Sequence, residues 1–533
     1  MIFRPRYLRI ILMMAIMICI WLIPGHIRAE YTIPWQASFY AAGGSSDFSP
    51  HYIGSRRQGM FTNAAGAYLL AQAERPLLTS HRFDYGFGMQ AGASITNAVD
   101  YERYRFDVPT QTGTWSNHGQ RAPYVWLQQL WAGIKYRGFF LTAGMKDSDR
   151  SLFDSPLGSG DIVVSDNARP VPQLRFGFID FQDIPFTRGL VQIQGEIAYG
   201  KFTDSDWLRS RYNYYNSFIT TGVWFHYKRC YFRVTPQKPF SVTLGMQHAA
   251  QFGGYYEEYD NGQLVRTGGG HVRARDFLDV FVQKRGSSGT TGGDRQYYNG
   301  NHLGSWDLRA RYRFRDSSEL TAYFQWPWED GSGIGKLNGW DGVWGLEYKF
   351  GRRGWIDAAC VEYIDFTNQS GPIHWAPGDH DGNEIPGEAT GADDYYNNYF
   401  YDGWANYGMS MGTPFIKSPI YNTDGYLRFT DNRLRGFHAG ISGSPTPDID
   451  YRLLVGYRQS LGTPTAPAPH KRQATSAMLE GKYRLPALKG LTFSLQLAFD
   501  AGSLTGHRFG AMLGVTYDGL ISLGKHQKAI DNE

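Results

Sequence analysis

The sequence has few cysteines, few charged residues and only one long apolar run. Its three cysteines, Cys19, Cys230 and Cys360, lie too far apart to provide a metal cluster with the usual ligand spacing. One apolar run, at 10–23, and a mean hydropathy of −0.42 exclude a protein with many membrane-spanning helices. The net charge of +4 is too small to indicate nucleic-acid binding, so we expect no nucleic-acid partner.

Glycine and aromatic side chains are abundant instead. The chain contains 64 Gly, 36 Tyr, 33 Phe and 15 Trp. So much glycine indicates many turns, and this composition is typical of an all-β protein. It is equally typical of a transmembrane β-barrel, because the strands of such a barrel alternate between apolar and polar residues instead of being apolar throughout.

The N-terminus has the order of a secretory signal. Three arginines within the first nine residues precede the apolar run 10–23, and the small residue Ala29 follows it. This order predicts a signal peptide over residues 1–29, with an uncleaved anchor as the alternative. Because Cys19 lies inside the signal, the exported chain keeps Cys230 and Cys360, which either form one disulfide or are two free thiols.

Apolar and polar residues alternate along most of the remaining chain. In 306–315, apolar residues occupy one face and Arg309, Arg311 and Arg313 occupy the other. A soluble β-sandwich, the alternative, could not bury that second face without partners for its charges, whereas a wet barrel lumen solvates it. Short turns also alternate with long connections, as in outer-membrane barrels. We therefore predict a transmembrane antiparallel β-barrel over residues 30–533.

The length of the chain allows about 16 to 20 strands. Two stretches, at about 253–303 and 367–423, are too long to be turns, and loops of that length are usually functional. We expect them to fold over the barrel mouth or into it. The Ala-rich segment 59–74 predicts a short helix, which a barrel would place in the periplasm.

The chain carries no strong catalytic or metal-binding motif. Residues 408–412 match the G-x-S-x-G pattern of hydrolases, with Ser410 at its centre. That pattern needs a helix after the serine, and Pro414 argues against one. The acidic residues around Gly382 do not have the spacing of an EF-hand. We expect no enzymatic activity, no metal and no cofactor, and an acyl hydrolase using Ser410 is an alternative.

Two segments differ from the strand background. Residues 165–172 contain two prolines, which exclude a central strand, and 395–421 is rich in aromatic and amide side chains. Aromatic rings can stack on sugars, while Asn and Arg can bind hydroxyl and acidic groups. A structural corner and an aromatic girdle are the alternatives. The residues that we predict to bind polysaccharide are Asn167, Arg169, Trp404, Asn406, Tyr407, Arg309, Arg311 and Arg313.

Both segments resemble a known family. Residues 160–172, GDIVVSDNARPVP, look like the Asn-Ala-Arg-Pro signature of the capsule assembly Wzi family. Residues 401–414, YDGWANYGMSMGTP, resemble the glycine-rich block of that family. The resemblance implies a monomeric outer-membrane barrel of about 18 strands with a small helical part in the periplasm. It also implies a lectin-like protein that binds exported capsular polysaccharide and helps attach it to the cell surface.

The expected partners are therefore an extracellular polysaccharide and outer-membrane lipid. An outer-membrane porin or transporter is the first alternative, because it would share the alternation and the charged inner face. A purely structural role in the cell envelope is a further alternative.

Overall fold

A computed structural model gives the structure of most of the chain. It describes residues 31–147, 152–153, 155–283, 300–329, 331–336, 338–370, 373–375, 388–390, 393–398 and 400–523. The predicted signal peptide and the acidic residues around Gly382 lie outside these ranges. Within the described ranges, no helix has the length and apolar character needed to cross a bilayer.

The chain forms a closed antiparallel barrel of 18 strands, which confirms the predicted fold. In chain order the strands are β1 (Tyr31–Gly44), β2 (Gly66–Arg75), β3 (Phe83–Thr96), β4 (Val125–Tyr136), β5 (Phe139–Met145), β6 (Gln173–Phe178 and Gln182–Asp183), β7 (Val191–Lys201), β8 (Trp224–Val234), β9 (Phe240–Phe252), β10 (Asn301–Arg313), β11 (Glu319–Trp328), β12 (Gly342–Lys349), β13 (Ala358–Asp365), β14 (Leu434–Thr446), β15 (Ile449–Gly462), β16 (Pro467–Arg484), β17 (Leu491–Ala501) and β18 (Arg508–Leu523). The two parts of β6 pair with successive parts of β7 and count as one strand.

Closure of the barrel follows from the pairing of its first and last strands. Tyr31 of β1 lies opposite Leu523 of β18, and this register continues to Gly44 opposite Gly510. Each other strand pairs with its neighbours in chain order. Closure removes the exposed sheet edges on which another chain could pair.

The alternation predicted for β10 is present in the wall. Leu308 and Tyr312 are 43% and 45% exposed on the outside, whereas Asp307 is buried inside. Because successive side chains of a strand point to opposite faces, Arg309 and Arg311 share the inner face with Asp307. The lumen is therefore polar where the outside is apolar.

The outside of the wall carries a belt of exposed apolar side chains. Its aromatic members next to the short turns are Phe83, Tyr136, Phe139, Phe240, Tyr312, Tyr483, Phe493 and Tyr517. Soluble monomers rarely expose a continuous apolar belt, and this belt matches the lipid-facing band and aromatic girdle of transmembrane barrels.

The two ends of the barrel differ in their connections. Turns such as 137–138, 314–318 and 447–448 lie at one end, which we call the short-turn end. Both ends of the described chain, Tyr31 and Leu523, lie there too. The other end, which we call the long-connection end, carries the connections 97–124, 146–172, 202–223, 253–300 and 366–433.

The helix predicted at 59–74 is wrong, because Gly66–Arg75 forms β2. Leu69 is 55% exposed on the outside and Leu70 is buried inside, so the period of two outweighs the helix propensity of alanine. The described helical segments all lie in connections of the long-connection end instead: His51–Gly54, Ser205–Arg211, Ala274–Phe281, Gly331–Ile334 and the 3₁₀ turn Pro419–Tyr421.

The ranges 253–303 and 367–423 contain regular structure. The first holds the hairpin of Gly254–Asp260 with Gln263–Gly270, and the helix Ala274–Phe281. The described part of the second holds short paired segments, of which Ala405–Asn406 and Met409–Ser410 are one pair. Residues 284–299 and 376–387 lie outside the described chain.

Two connections of the long-connection end fold into the lumen. We call residues 155–172 the first plug segment and residues 400–421 the second plug segment. Asp161 of the first segment accepts hydrogen bonds from Gln247 of β9 and Gln325 of β11, both at 2.7 Å. The plug is thereby tied to the inner faces of separate wall strands, and its buried carboxylate is hydrogen-bonded, as buried charges must be.

Cys230 and Cys360 are free thiols that cannot pair with each other. Cys230 of β8 has the same parity as Phe232, which is exposed on the outside. Cys360 of β13 is buried and has the opposite parity to Val361, which is exposed on the outside. One side chain therefore lies on the outer face and the other on the inner face, which excludes the disulfide alternative.

Candidate functional site

The two segments that stand out in the sequence pack against each other inside the barrel. The side-chain amide of Asn167 donates to the carbonyl oxygen of Ser410 at 2.9 Å. The indole N–H of Trp404 donates to the carbonyl oxygen of Val163 at 2.7 Å. The amide of Asn406 donates to the carbonyl oxygen of Arg169 at 2.7 Å. Each segment thus satisfies backbone groups of the other.

Trp404 and Asn167 are fully buried within this contact. The Trp404 ring lies near Phe225 of β8, with a centroid distance of 6.2 Å. Asn167 also accepts a hydrogen bond from the backbone N–H of Arg56. In this conformation the two side chains hold the plug together, and neither presents a surface on which a sugar could stack.

Ser410 is also buried and does not lie in a nucleophile elbow. It belongs to a short hairpin strand, and its hydroxyl donates to the carbonyl oxygen of Thr413 at 3.4 Å. Among the described residues no histidine is hydrogen-bonded to it. A hydrolase serine needs an exposed turn and an adjacent base, so this geometry gives the Ser410 alternative no support.

The hairpin of the second plug segment turns at Tyr407 and Gly408. Both residues have positive φ angles, of 50° and 70°, as a two-residue type I′ turn requires. A Cβ atom on Gly408 would lie 2.0 Å from the Trp207 ring. Glycine is therefore required here both for the turn and for the close approach of Trp207.

A cleft opens beside this turn, at the long-connection end. We call it the outer cleft. Five aromatic residues line it, namely Phe48, Tyr101, Trp126, Trp207 and Tyr407. Its polar lining residues include Gln58, Asn63, Arg121, Gln128, Arg169, Arg211 and Asn406, and the described residues that line it include no Asp or Glu. Three of the predicted residues, Arg169, Asn406 and Tyr407, thus meet at one site.

The arginines of the cleft stack on its aromatic rings. The guanidinium carbon of Arg169 lies 4.7 Å from the Tyr407 ring centroid, and that of Arg211 lies 4.4 Å from the Trp207 ring centroid. Cation–π contacts hold each positive charge in place without neutralising it. Within the described chain, neither guanidinium has a carboxylate within ion-pair distance.

Burial leaves three polar atoms of the cleft without a partner among the described residues: Nε of Arg169, Nε of Arg211 and Oδ1 of Asn406. Burial also lowers the pKa of Arg169 and of Arg211 below the ordinary value for arginine, and raises the pKa of Tyr101 to about 12. Both guanidinium groups carry a positive charge, as arginine does throughout the ordinary pH range. An anionic ligand with hydroxyl groups would satisfy this set of atoms.

The helix Ser205–Arg211 places two of the cleft residues. Trp207 and Arg211 are four residues apart, so they lie on the same face of the helix. Asp204, just before the helix, accepts a hydrogen bond from the backbone N–H of Tyr407 at 3.1 Å. Burial raises the pKa of Asp204 to about 6. This contact ties the helix to the Tyr407 turn across the cleft.

Arg309, Arg311 and Arg313 lie on the inner face of β10, near the short-turn end. All three are within 4.0 Å of Glu319 on β11, at 3.9, 3.8 and 3.7 Å. They do not line the outer cleft. The structure therefore separates this arginine row from Arg169, Asn406 and Tyr407, although the sequence analysis predicted that all of them bind polysaccharide.

Sequence reasoning missed several residues of the cleft, among them Tyr101, Trp126, Trp207 and Arg211. Trp207 and Arg211 carry a detectable signal, because Trp and Arg at helical spacing stand in an otherwise β-rich sequence. Tyr101 comes from the hairpin of Val99–Asp107 with Thr112–Gln120, and Trp126 from the wall. Nothing in the local sequence shows that these residues meet.

Comparisons with known proteins bear on the fold. No family model matches the chain, and no curated protein matches it. Among solved structures the chain is similar to Wzi, an outer-membrane protein involved in group 1 capsule assembly in Escherichia coli and described as a carbohydrate-binding β-barrel. The TM-score is 0.52 at 10% identity, over 92% of this chain and 85% of that chain.

The chain also matches outer-membrane barrels of Pseudomonas aeruginosa. OccK3 (OpdO) gives a TM-score of 0.44 at 12% identity, over 93% of this chain and 97% of that chain. OprD gives a TM-score of 0.41 at 9% identity, over 92% and 95%. At such identities the similarity to Wzi shows a shared barrel fold alone.

Proposed function

We propose that this protein is an outer-membrane barrel that binds an exported acidic polysaccharide at the outer cleft and helps attach it to the cell surface. The observation that carries the proposal is the pair Arg169, which is half-buried, and Arg211, which is buried; both stack on aromatic rings and have no carboxylate partner among the described residues. Arg169 donates to the carbonyl oxygen of Leu127 and Arg211 to that of Arg121, so the pair lacks only a negatively charged partner, which a carboxylate on a sugar would supply.

The physical argument starts from the cost of burying a charge. A guanidinium group removed from water is unfavourable unless a partner with good geometry replaces the lost hydration. A sugar carboxylate would form charge-assisted hydrogen bonds with Arg169 and Arg211, while Asn406 Oδ1 would accept from a hydroxyl. The exposed parts of Tyr407 and Trp207 would contact the apolar face of the sugar ring.

In this proposal the outer cleft faces the outside of the cell. In outer-membrane barrels the short turns face the periplasm and the longer connections face outward. The predicted signal peptide over residues 1–29 is consistent with export. The carbohydrate-binding barrel reported above adds support through its shared fold. A monomer remains our expectation, since closure leaves no strand edge for pairing.

The proposal can be tested in cells that lack the protein. We expect such cells to shed acidic polysaccharide into the medium, and we expect the wild-type gene to restore retention. The double variant Arg169→Gln and Arg211→Gln should reach the outer membrane but fail to restore retention. The measurement is the ratio of cell-bound to released uronic acid.

The matched control exchanges two exposed arginines of the short turns, Arg137→Gln and Arg352→Gln, and should restore retention fully. A deletion strain that retains its polysaccharide normally would refute the attachment role. Retention restored by the double variant of Arg169 and Arg211 would refute the cleft as its site.

A porin or transporter is the second candidate, and one observation favours it. A polar cavity of about 510 Å³ occupies the lumen on the short-turn side of the plug. Purified protein in a planar bilayer separates the two functions. Steady large channels would favour the porin, whereas a silent barrel would favour the binding protein, because the plug segments block the lumen.

A further inference from the structure

The polar cavity of the lumen differs in its chemistry from the outer cleft. We call it the inner cavity. Its volume is about 510 Å³. Its lining reaches Arg484 and Thr492, which flank the short turn 485–490, so it lies toward the short-turn end.

A row of glutamines crosses one side of the inner cavity at a single level. Gln36, Gln72 and Gln90 lie directly opposite one another on β1, β2 and β3, and Gln129 continues the row on β4. Each amide donates to its neighbour: Gln129 to Gln90, Gln90 to Gln72, and Gln72 to Gln36, at 3.0, 3.0 and 3.3 Å. Gln36 in turn donates to Asp518 at 2.8 Å.

This chain of hydrogen bonds fixes the orientation of every amide in it. A glutamine amide has two N–H donors and two acceptor lone pairs, and the row uses one of each. The second N–H and the second lone pair of Gln36, Gln72 and Gln90 remain for the cavity, which these three residues line. Neighbouring hydroxyls of a sugar offer the same alternation of donor and acceptor.

A buried acceptor lies on the same side of the wall, on β17, which β18 separates from β1. Gln496 of β17 is only 2% exposed, and its Oε1 has no partner among the described residues. Its Nε2 donates to Glu480 at 2.9 Å, so the side chain is held in place. An unpaired buried carbonyl is costly, and a hydroxyl donor in the cavity would satisfy it.

A thin partition separates the inner cavity from the outer cleft. Gln58 and Met60 line both spaces. The backbone of this segment is unusual. Arg56 and Gln58 have φ angles of 55° and 54°, which non-glycine residues seldom adopt. Arg56 is held there by Asp166, at 2.8 Å between Nε and Oδ1. The two spaces are therefore neighbours, with Gln58 and Met60 between them.

We propose that the inner cavity is a second carbohydrate site, which binds a short neutral polyhydroxyl segment entering from the short-turn end. The proposal rests on the proposed function only for the orientation that makes this the periplasmic end. Amides and hydroxyls such as Ser38 and Ser494 dominate the glutamine side of the cavity, and its charged residues have both signs. Such a lining favours hydroxyl groups over a net charge.

The test measures calorimetric binding of maltotetraose to the full-length protein in a detergent without a sugar headgroup. The triple variant Gln72→Leu, Gln90→Leu and Gln496→Leu should weaken binding at least tenfold. Gln192→Leu on β7, outside the cavity lining, is the matched control and should bind like the wild type. Because the triple variant could fail to fold, Gln496→Leu alone is the second variant, and a severalfold loss is expected from it.

The outcomes separate this proposal from the function of the outer cleft. Wild-type protein that binds no maltotetraose up to about 10 mM would overturn the inner site. Equal affinity of the wild type and Gln496→Leu would overturn it too. Loss of maltotetraose binding in the Arg169→Gln and Arg211→Gln variant, with the glutamine variants unaffected, would place the sugar in the outer cleft instead. The polysaccharide retention experiment in cells tests only the outer cleft, so a negative result there would leave the proposal for the inner cavity standing.

Discussion

The outer cleft and the inner cavity lie on two sides of one short partition, yet they are built from different chemistry. The cleft is narrow, about 80 Å³, and combines aromatic rings with three arginines and no carboxylate among its described lining. The inner cavity is about 510 Å³ and combines amides and hydroxyls with charges of both signs. One space suits an acidic group, and the other suits a polyhydroxyl segment.

The difference follows from where each lining originates. The inner cavity is lined largely by wall strands, whose inward side chains can be polar at every second position because the lumen is wet. The cleft is assembled from connections: the Tyr407 turn, the helix Ser205–Arg211 and the hairpin that carries Tyr101. Connections can place aromatic rings around a cation, since they are not bound to the alternation of a strand.

The largest expected effect is a loss of affinity for an acidic sugar when the arginines of the outer cleft are neutralised, and it tests whether the two spaces differ in charge selectivity. The double variant Arg169→Gln and Arg211→Gln should lower affinity for a hyaluronan tetrasaccharide about 100-fold, because each charge-assisted hydrogen bond contributes ~1.5–3 kcal/mol. Calorimetry on the purified protein measures it. The Arg309→Gln and Arg311→Gln variant, at the other end of the lumen, sharpens the test. If that variant caused the larger loss, the arginine row of β10 would be the acidic-sugar site.

The wall could be predicted from the sequence to a large extent, and the reason is physical. Strand alternation is a local pattern, so the sequence alone assigns Leu308 to the outer face and Arg309 to the inner face, whichever strands pair with β10. The wrong helix prediction at 59–74 shows the limit of local patterns. An alanine-rich sequence favours a helix in isolation, but here β2 forms because β1 and β3 pair with it on both sides. Tertiary context decides between the two periods.

The candidate site could be predicted only in part. The segments around Arg169 and Tyr407 stand out because prolines and aromatic residues interrupt the strand pattern. Their mutual contact, and the burial of Trp404 within it, depend on pairing over more than 200 residues, which no local pattern encodes. Arg211 became a site residue only when its helix was seen to face the Tyr407 turn.

A smaller effect tests whether the cleft depends on the geometry of its turn. Gly408→Ala should lower affinity for the acidic tetrasaccharide about tenfold, because the added Cβ would strain a left-handed residue and displace the Trp207 ring. The matched control is Gly481→Ala on β16, where a Cβ would meet nothing within 4 Å. Unchanged binding by Gly408→Ala would show that Trp207 does not need its present position. Maltotetraose binding at the inner cavity gives an internal reference for folding.

The smallest expected effect is a pH dependence confined to the cleft. Burial raises the pKa of Asp402 from its ordinary 3.8 to about 8, with neighbouring Asp204 adding to the rise and Arg428 opposing it. Its Oδ2 accepts from the backbone N–H of Thr220 at 2.8 Å.

A raised pKa means that the packed state favours the neutral acid. The stabilisation is therefore complete below about pH 4 and is lost progressively as the pH rises to about 8. Asp402 lies behind the helix that carries Trp207, so acidic-sugar affinity should fall about threefold between pH 5 and pH 8. Asp402→Asn keeps the acceptor for Thr220 and should make this profile less steep, leaving the part due to Asp204, whose pKa of about 6 lies in the same range, as measured by calorimetry at each pH. An equally steep profile in Asp402→Asn would assign the effect to another group, and an equal slope for maltotetraose would remove the distinction between the two spaces.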